Sequence, residues 1–313
     1  ILKYTDATES AGLNLIPGFN EDEHPEYRDY TNISSADFDG DGDIDLYAGS
    51  YDPASSQYRS YLLKNDMGKF IDITGMSGLK HTGKESAAIF ADYNNDGALD
   101  LFISKEGGDI LYLNSGNGFF KDVTEAAHLS DNEGSNKALF LDLDHDGDLD
   151  LYKMTSGKNK QMRNNADGTF TDQSEKMDAP KETVISRDGV FGDFDEDEDI
   201  DLVVVNEDAG NIFYSNQRLG VFRNMTVEAG LTGNGGSGSV TAGDYNNDGF
   251  LDLFITSLRQ GEHILYRNNG SGSFEPEKNM KEMFASLQQV KAYDAAFIDF
   301  NNDGFLDLVV AGE

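Results

Sequence analysis

The 313-residue chain carries 58 acidic against 24 basic side chains, for a formal net charge of -34. A surface of that sign repels phosphate, which excludes nucleic acid as a partner and plain adhesion to anionic lipid. With no cysteine and no long apolar run, no disulfide, thiolate metal site, cysteine nucleophile or membrane insertion is expected.

Glycine is abundant at 34 and proline scarce at 5, a composition that suits short strands joined by tight turns. The 20 Phe and 14 Tyr argue against disorder. The opening ILKYTDATES lacks the basic and apolar parts of a signal peptide, so any leader is expected to have been removed before Ile1. From Lys3, KYTDATESAGL matches a phrase met again as FKDVTEAAHL, ending at Leu129, and FRNMTVEAGL, ending at Leu231.

The dominant feature is a nonapeptide found six times: DFDGDGDID from Asp37, DYNNDGALD from Asp92, DLDHDGDLD from Asp142, DFDEDEDID from Asp193, DYNNDGFLD from Asp244 and DFNNDGFLD from Asp299. Its starts lie 50 to 55 residues apart, so one supersecondary unit is copied in tandem. Before each stands a run rich in small residues, such as SAAIFADY, and after each a β-branched or aromatic run, such as LDLFIS. About twenty residues later comes a hairpin signature, as in LYLNSGNGFFKDVT.

Four short antiparallel strands per copy predict an all-β chain, a β-propeller of four-stranded blades forming a single domain over 1–313. Six blades are expected, with seven, one of them truncated, as the alternative. The innermost strands would crowd near the axis, which accounts for Ala88, Ala91, Ala138, Gly189, Gly192, Gly243, Ala295 and Ala296. Residues 2–8 are expected to pair with the last copy and close the ring, removing exposed edges. One strand of that last blade has no counterpart in the sequence.

Acidic or amide oxygens at positions one, three, five and nine of a tight turn, with glycine at six, can converge on one hard cation. An EF-hand would need a bidentate Glu at position twelve, but Ala48, Ile103, Lys153, Val204, Ile255 and Val310 stand there. The loop is therefore read as a β-hairpin with position nine supplying the closing carboxylate.

These residues resemble the calcium-binding FG-GAP or VCBS-type repeats of integrin-α-like β-propellers, and the resemblance covers essentially the whole chain. It implies up to six structural Ca2+ ions, in hairpins at 37–45, 92–100, 142–150, 193–201, 244–252 and 299–307. The implied ligands of the first copy are Asp37, Asp39, Asp41 and Asp45 with the carbonyl of Asp43. Those of the second are Asp92, Asn94, Asp96 and Asp100 with the Ala98 carbonyl; the third has Asp142, Asp144, Asp146 and Asp150 with that of Asp148. The fourth offers Asp193, Asp195, Asp197 and Asp201 with the Asp199 carbonyl, the fifth Asp244, Asn246, Asp248 and Asp252 with that of Phe250. The sixth offers Asp299, Asn301, Asp303 and Asp307 with that of Phe305. Glu198 replaces the turn glycine in the fourth, so the site at 193–201 is expected to be the weakest.

No catalytic constellation is found: the five histidines fall at unrelated positions, and GLKHTGKE has Glu85 where a phosphate loop needs Ser or Thr. The chain is therefore expected to be no enzyme, association with a polysaccharide lyase or hydrolase being a remote third reading. Binding remains, through Tyr27 and Tyr30 in one long insertion and Tyr51, Tyr58 and Tyr61 in the next. A further insertion, from Lys278 to Val290, spaces Met280, Met283, Phe284 and Leu287 as a short amphipathic helix. The reading is a calcium-stabilised interaction or adhesion module for a protein or matrix partner, with lectin-like glycan binding as the alternative. It is placed outside the cell, at its surface or in the periplasm, within a larger protein.

Overall fold

Each copy of the repeat folds as an antiparallel sheet because its apolar runs are short, β-branched or aromatic, and separated by Gly, Asn or Asp turns. The computed structural model describes residues 5–16, 32–80, 83–180, 182–233 and 235–313. The first sheet is β1 (Asn32–Ala36), β2 (Asp45–Asp52), β3 (Gln57–Asp66) and β4 (Lys69–Asp72), and the second β5 (Glu85–Ala91), β6 (Asp100–Lys105), β7 (Ile110–Asn114) and β8 (Phe120–Asp122). The third comprises β9 (Lys137–Leu141), β10 (Asp150–Met154), β11 (Lys160–Asn164) and β12 (Phe170–Asp172). The fourth follows with β13 (Ser186–Gly192), β14 (Asp201–Asn206), β15 (Ile212–Asn216) and β16 (Phe222–Asn224). β17 (Ser237–Gly243), β18 (Asp252–Ser257), β19 (Ile264–Asn268) and β20 (Phe274–Pro276) make the fifth. The last sheet has two strands, β21 (Ala292–Ile298) and β22 (Asp307–Gly312). Every sheet is a meander of antiparallel neighbours, as the sequence predicts.

The chain divides into two units: residues 1–141, 147–153 and 161–172 form one, and residues 142–146, 154–160 and 173–313 the other. In the first unit the core lies between successive sheets. Phe38, Tyr47 and Leu62 of sheet one pack on Leu101, Ile103, Tyr112 and Phe120 of sheet two, all buried. In the second unit Phe194, Val203 and Val205 of sheet four meet Leu253, Ile255 and Phe274 of sheet five in the same manner. The second strand of each four-stranded sheet is buried along most of its length, which explains why β6, β14 and β18 read as unbroken apolar runs.

The opening strands of successive sheets lie side by side, β1 with β5 and β5 with β9 in one unit, β13 with β17 and β17 with β21 in the other. This is where the small residues fall. A Cβ on Gly192 would stand 2.6 Å from Leu251 Cδ1, and one on Gly243 2.8 Å from Leu306 Cδ1. The requirement is one of space, since neither glycine has a positive φ. Gly192→Val is accordingly expected to cost about 1–3 kcal/mol by overpacking, read as a lower urea midpoint at fixed calcium; an unchanged midpoint would show that the sheets yield.

The TExAGL phrase links consecutive sheets at their outer strands. The Phe120 N–H donates to the Ser77 carbonyl (2.6 Å), Phe170 to Ala127 (3.0 Å) and Phe274 to Ala229 (2.8 Å). Within it, the threonine hydroxyl accepts the N–H of the third strand and donates to the residue two before it. Leu111 N–H reaches Thr124 Oγ1 at 3.0 Å, and Thr124 reaches Asp122 Oδ1 at 2.7 Å.

The N-terminal copy of the phrase makes the same link, the Phe70 N–H donating to the Ala11 carbonyl at 2.8 Å. Residues 5–8 form no strand, and β22 has β21 as its partner in a two-stranded sheet. The expected ring closure by residues 2–8 is not seen among the described residues, and residues 2–4 lie outside them.

The late insertion forms α1 (Met280–Met283) followed by a 3-10 turn at Ala285–Gln289, shorter than the single helix predicted. Phe284 packs on Phe254 (ring centroids 5.8 Å apart), and the Gly261 N–H donates to the Val290 carbonyl at 3.2 Å, so the segment caps the fifth sheet.

Candidate metal centres

The nonapeptide opens the hairpin between the first and second strands of every sheet, and its first aspartate folds the turn around itself. Asp37 accepts the N–H groups of Gly40 (2.8 Å), Asp41 (3.1 Å) and Gly42 (2.9 Å). Asp92, Asp193, Asp244 and Asp299 accept from positions five and six in the same way, and Asp142 from Asp146. Such wrapping needs left-handed backbone at positions four and six. Position four is Gly40, Asn95, His145, Glu196, Asn247 or Asn302, and position six is glycine in five loops.

In the fourth loop Glu198 adopts that conformation at φ 72°, as the sequence requires. A side chain there costs about 1 kcal/mol. Glu198→Gly is expected to recover about that much in chemical denaturation of the metal-free chain; no gain would mean that the loop has relaxed around the glutamate.

The side chains then converge. Carboxylate oxygens at positions one, three and five lie within 4.8 Å of one another in three loops: Asp37, Asp39 and Asp41; Asp142, Asp144 and Asp146; Asp193, Asp195 and Asp197. Loops two, five and six have asparagine at position three. Its Oδ1 accepts the N–H of position five: Asn94 from Asp96 (3.0 Å), Asn246 from Asp248 (2.8 Å) and Asn301 from Asp303 (2.9 Å). Position five in turn accepts the N–H of position seven, Asp41 from Asp43, Asp96 from Ala98, Asp197 from Asp199, Asp248 from Phe250 and Asp303 from Phe305.

Position nine closes the site from the second strand: Asp45, Asp100, Asp150, Asp201 and Asp252 are buried, Asp307 half-buried. Buried carboxylate oxygens with no hydrogen-bond donor stand at position three (Asp39 Oδ1, Asp195 Oδ1) and position nine (Asp100 Oδ2, Asp307 Oδ2). Leaving such an oxygen unsatisfied is costly, more so for a charged group. Burial, with neighbouring aspartates adding to it, pushes Asp100 and Asp201 up to about 7 and Asp45 and Asp252 up to about 6. Unsatisfied, mutually repelling oxygens with no nitrogen or sulfur among them fit a hard divalent cation, and the residues present can hold one.

An asparagine on the third strand supports each of the first five loops and was not singled out from the sequence, although it recurs in the runs YLLKN, LYLN, QMRN, FYSN and LYRN. The N–H groups of Asn65, Asn114, Asn164, Asn216 and Asn268 donate at 2.7–2.9 Å to the position-nine carboxylates Asp45, Asp100, Asp150, Asp201 and Asp252. The side-chain amides reach the loop of the preceding copy: Asn114 to the Phe38 carbonyl (2.7 Å), Asn164 to Tyr93 (2.7 Å), Asn216 to Leu143 (3.1 Å) and Asn268 to Phe194 (2.8 Å). Neighbouring loops also touch directly. Asn95 Nδ2 donates to Asp148 Oδ1 at 2.7 Å, and His145 Nε2 lies 3.1 Å from Asp199 Oδ1, whose other oxygen takes Arg218 Nε at 3.0 Å.

Tyr27 and Tyr30 lie outside the described residues. The segment holding Tyr51, Tyr58 and Tyr61 lengthens the β2–β3 hairpin, with Tyr51 opposite Tyr58 and their rings 5.1 Å apart. Tyr51 and Tyr61 are buried and Tyr58 half-buried, so this cluster holds the hairpin together. His263 is buried. Its Nδ1 accepts the Ser257 N–H (3.0 Å) while Nε2 faces the Val290 carbonyl (3.0 Å), tying the cap to the fifth sheet.

Consecutive four-stranded meanders, each with an acidic loop between its first two strands, define a blade-repeat protein of the β-propeller class. The FG-GAP-like repeat model matches residues 37–103, 92–153, 193–255 and 252–310, and the chain belongs to that family. Among solved structures it is similar to an Agrocybe aegerita protein described by its specific recognition of non-reducing terminal N-acetylglucosamine. That likeness has 19% identity and a TM-score of 0.54, over 91% of this chain and 75% of that one. It is also similar to BBS1N, solved in complex with ARL6DN, at 10% identity and a TM-score of 0.56, over 91% and 77%. At such identity the likeness is one of fold. No curated protein sequence matches the chain significantly.

Proposed function

We propose that this chain is a calcium-stabilised extracellular interaction module, its six blades each stapled by one Ca2+ and closing into a ring, that binds a protein or matrix partner through loops at the blade ends. The observation that carries the reading is the repeated all-oxygen loop, in which one buried oxygen each of Asp39, Asp195, Asp100 and Asp307 lacks a donor. A location outside the cell, at its surface or in the periplasm follows from affinity, since extracellular modules of this sort bind calcium at about 0.1–1 mM, far above cytosolic levels. Among the described residues no helix is long and apolar enough to cross a membrane. No catalytic role is proposed, because carboxylates committed to a cation are poor proton donors.

A second reading, glycan binding, is favoured by the likeness to the Agrocybe aegerita protein that recognises a terminal sugar. Solid-phase binding of the purified chain to extracellular-matrix proteins, beside a glycan array, each with calcium and with chelator, tests both. Chelator-sensitive binding to a protein partner is expected; signal confined to defined terminal sugars would replace the first reading by the second. Turnover of a polysaccharide by the chain would overturn both.

A further inference from the structure

The residue just before the loop-supporting asparagine varies among the five four-stranded sheets. By cross-strand register these residues are Lys64 opposite Ile71, Leu113 opposite Lys121, Arg163 opposite Thr171, Ser215 opposite Arg223 and Arg267 opposite Glu275. In the first sheet the consequence is specific. Lys64 Nζ donates to Asp39 Oδ2 and, at 2.9 Å, to Asp41 Oδ2, two side chains of the loop that converge with Asp37. Asp39 is nine-tenths buried, and its Oδ1 has no donor. In the second loop Leu113 brings no charge, and Asp100 Oδ2 stands without a partner. Arg267 is directed away, to Glu275 at 3.8 Å.

We propose, resting on the calcium reading above, that the Lys64 ammonium is the resident cation of the first loop and competes there with Ca2+, so that this loop fills at higher calcium than the second. The argument is one of charge and space. The ammonium holds two carboxylates that a divalent ion must also use, so the ion has to displace it or bind beside a like charge. The bound ammonium relieves repulsion among Asp37, Asp39 and Asp41 without metal. The first hairpin is therefore ordered at calcium levels that leave the others empty.

Hydrogen exchange of the full chain, followed by mass spectrometry across a calcium titration, reads each loop separately through peptides covering 37–68 and 92–117. The midpoint for protection of the first is expected about tenfold above that of the second, from one like charge beside the ligands. Lys64→Leu, which places the second sheet's residue in the first, is expected to close that gap and to speed exchange of 37–68 without calcium. Lys64→Gln, which keeps the length and polarity of the side chain, is expected to do the same. Equal midpoints in the native chain, or a midpoint unmoved by both variants while the other loops respond, would overturn this proposal and leave the calcium reading intact. A chain in which no loop responds to calcium would remove both.

Discussion

Calcium added to metal-free protein is expected to raise the melting temperature by on the order of 15 °C. The basis is linkage: an ion that binds the native state alone stabilises by RT ln(1 + [L]/Kd) per site, about 1.4–2.7 kcal/mol at 10 mM calcium for a Kd of about 0.1–1 mM. Filled sites add, so the six loops together contribute on the order of 10 kcal/mol, against a change of about 2 °C or less per kcal/mol in a chain this long. Calorimetric titration should return near six ions, with the first loop filling after the second. An unchanged melting curve after exhaustive chelation would sink the reading.

The same titration has a signed pH dependence. Asp45, Asp100, Asp201 and Asp252 have native values pushed up to about 6–7 from the ordinary carboxylate range, by burial first. A group raised in the native state holds its proton more tightly there than when unfolded. The contribution of these four groups to metal-free stability is then full below about pH 4 and is lost as pH rises through 6–7. Carboxylates held low, such as Asp6, Asp52 and Asp167, titrate below that window and do not mask it. Calcium competes for the same oxygens, so the calcium-bound protein gains stability over the range in which the metal-free protein loses it. The calcium-induced shift in melting temperature should therefore grow from pH 5 to pH 8; parallel pH profiles with and without the ion would show that these carboxylates are not its ligands.

Lys153→Ile is expected to destabilise the chain by about 3–5 kcal/mol. Lys153 lies in β10 with a side chain 2% exposed, its ammonium 2.7 Å from Asp109 and 2.6 Å from Asp131. Burial alone would lower the lysine's pKa, but Asp109 and Asp131 outweigh it and hold it raised. Asp109, 1% exposed, also accepts the N–H groups of Lys105 (3.1 Å) and Ser135 (2.8 Å). Removing the lysine leaves that carboxylate buried and short of a counter-charge.

The other copies indicate the rescue. Val204 and Ile255 occupy the place of Lys153, while Asn159, Asn211 and His263 occupy that of Asp109, each accepting the N–H at the end of the second strand. Lys153→Ile with Asp109→Asn should recover most of the loss, leaving Asp131, the most exposed of the three, to solvent. Urea unfolding at fixed calcium checks both. A single substitution costing under about 1 kcal/mol, or a double variant no better than the single, would mean that the carboxylates find other partners.

The loops and the four-stranded unit were legible because they are local. A ligand set that spans nine residues is brought together by the turn itself, so the Asp-x-Asp-x-Asp-Gly spacing specifies the convergence seen at Asp37, Asp39 and Asp41. The strain at Glu198 follows from the backbone that a position demands, and it too was readable. Strand order followed from turn chemistry and from apolar runs of the right length. In all of these, neighbours in space are neighbours in sequence.

What the chain does between copies was decided by tertiary structure. Asn114 reaches the Phe38 carbonyl across 76 residues and Ser60 reaches the buried Glu85 across 25, contacts that depend on how sheets stack and on strand register. Residue type alone is ambiguous there. Lysine at position 153 reads as a break in an apolar strand until Asp109 is seen beside it, and Lys64 as an ordinary strand lysine until it is found at the loop. Tyr51 and Tyr61 read as ligand-stacking aromatics, yet the longer hairpin buries them. The N-terminal phrase is tied to the first sheet through Ala11 and Phe70, a link visible only in the fold. Local chemistry therefore determined the unit and its cation loop, whereas packing between units, in which side chains far apart in sequence share buried space, determined which polar groups are satisfied and which loop already carries its own charge.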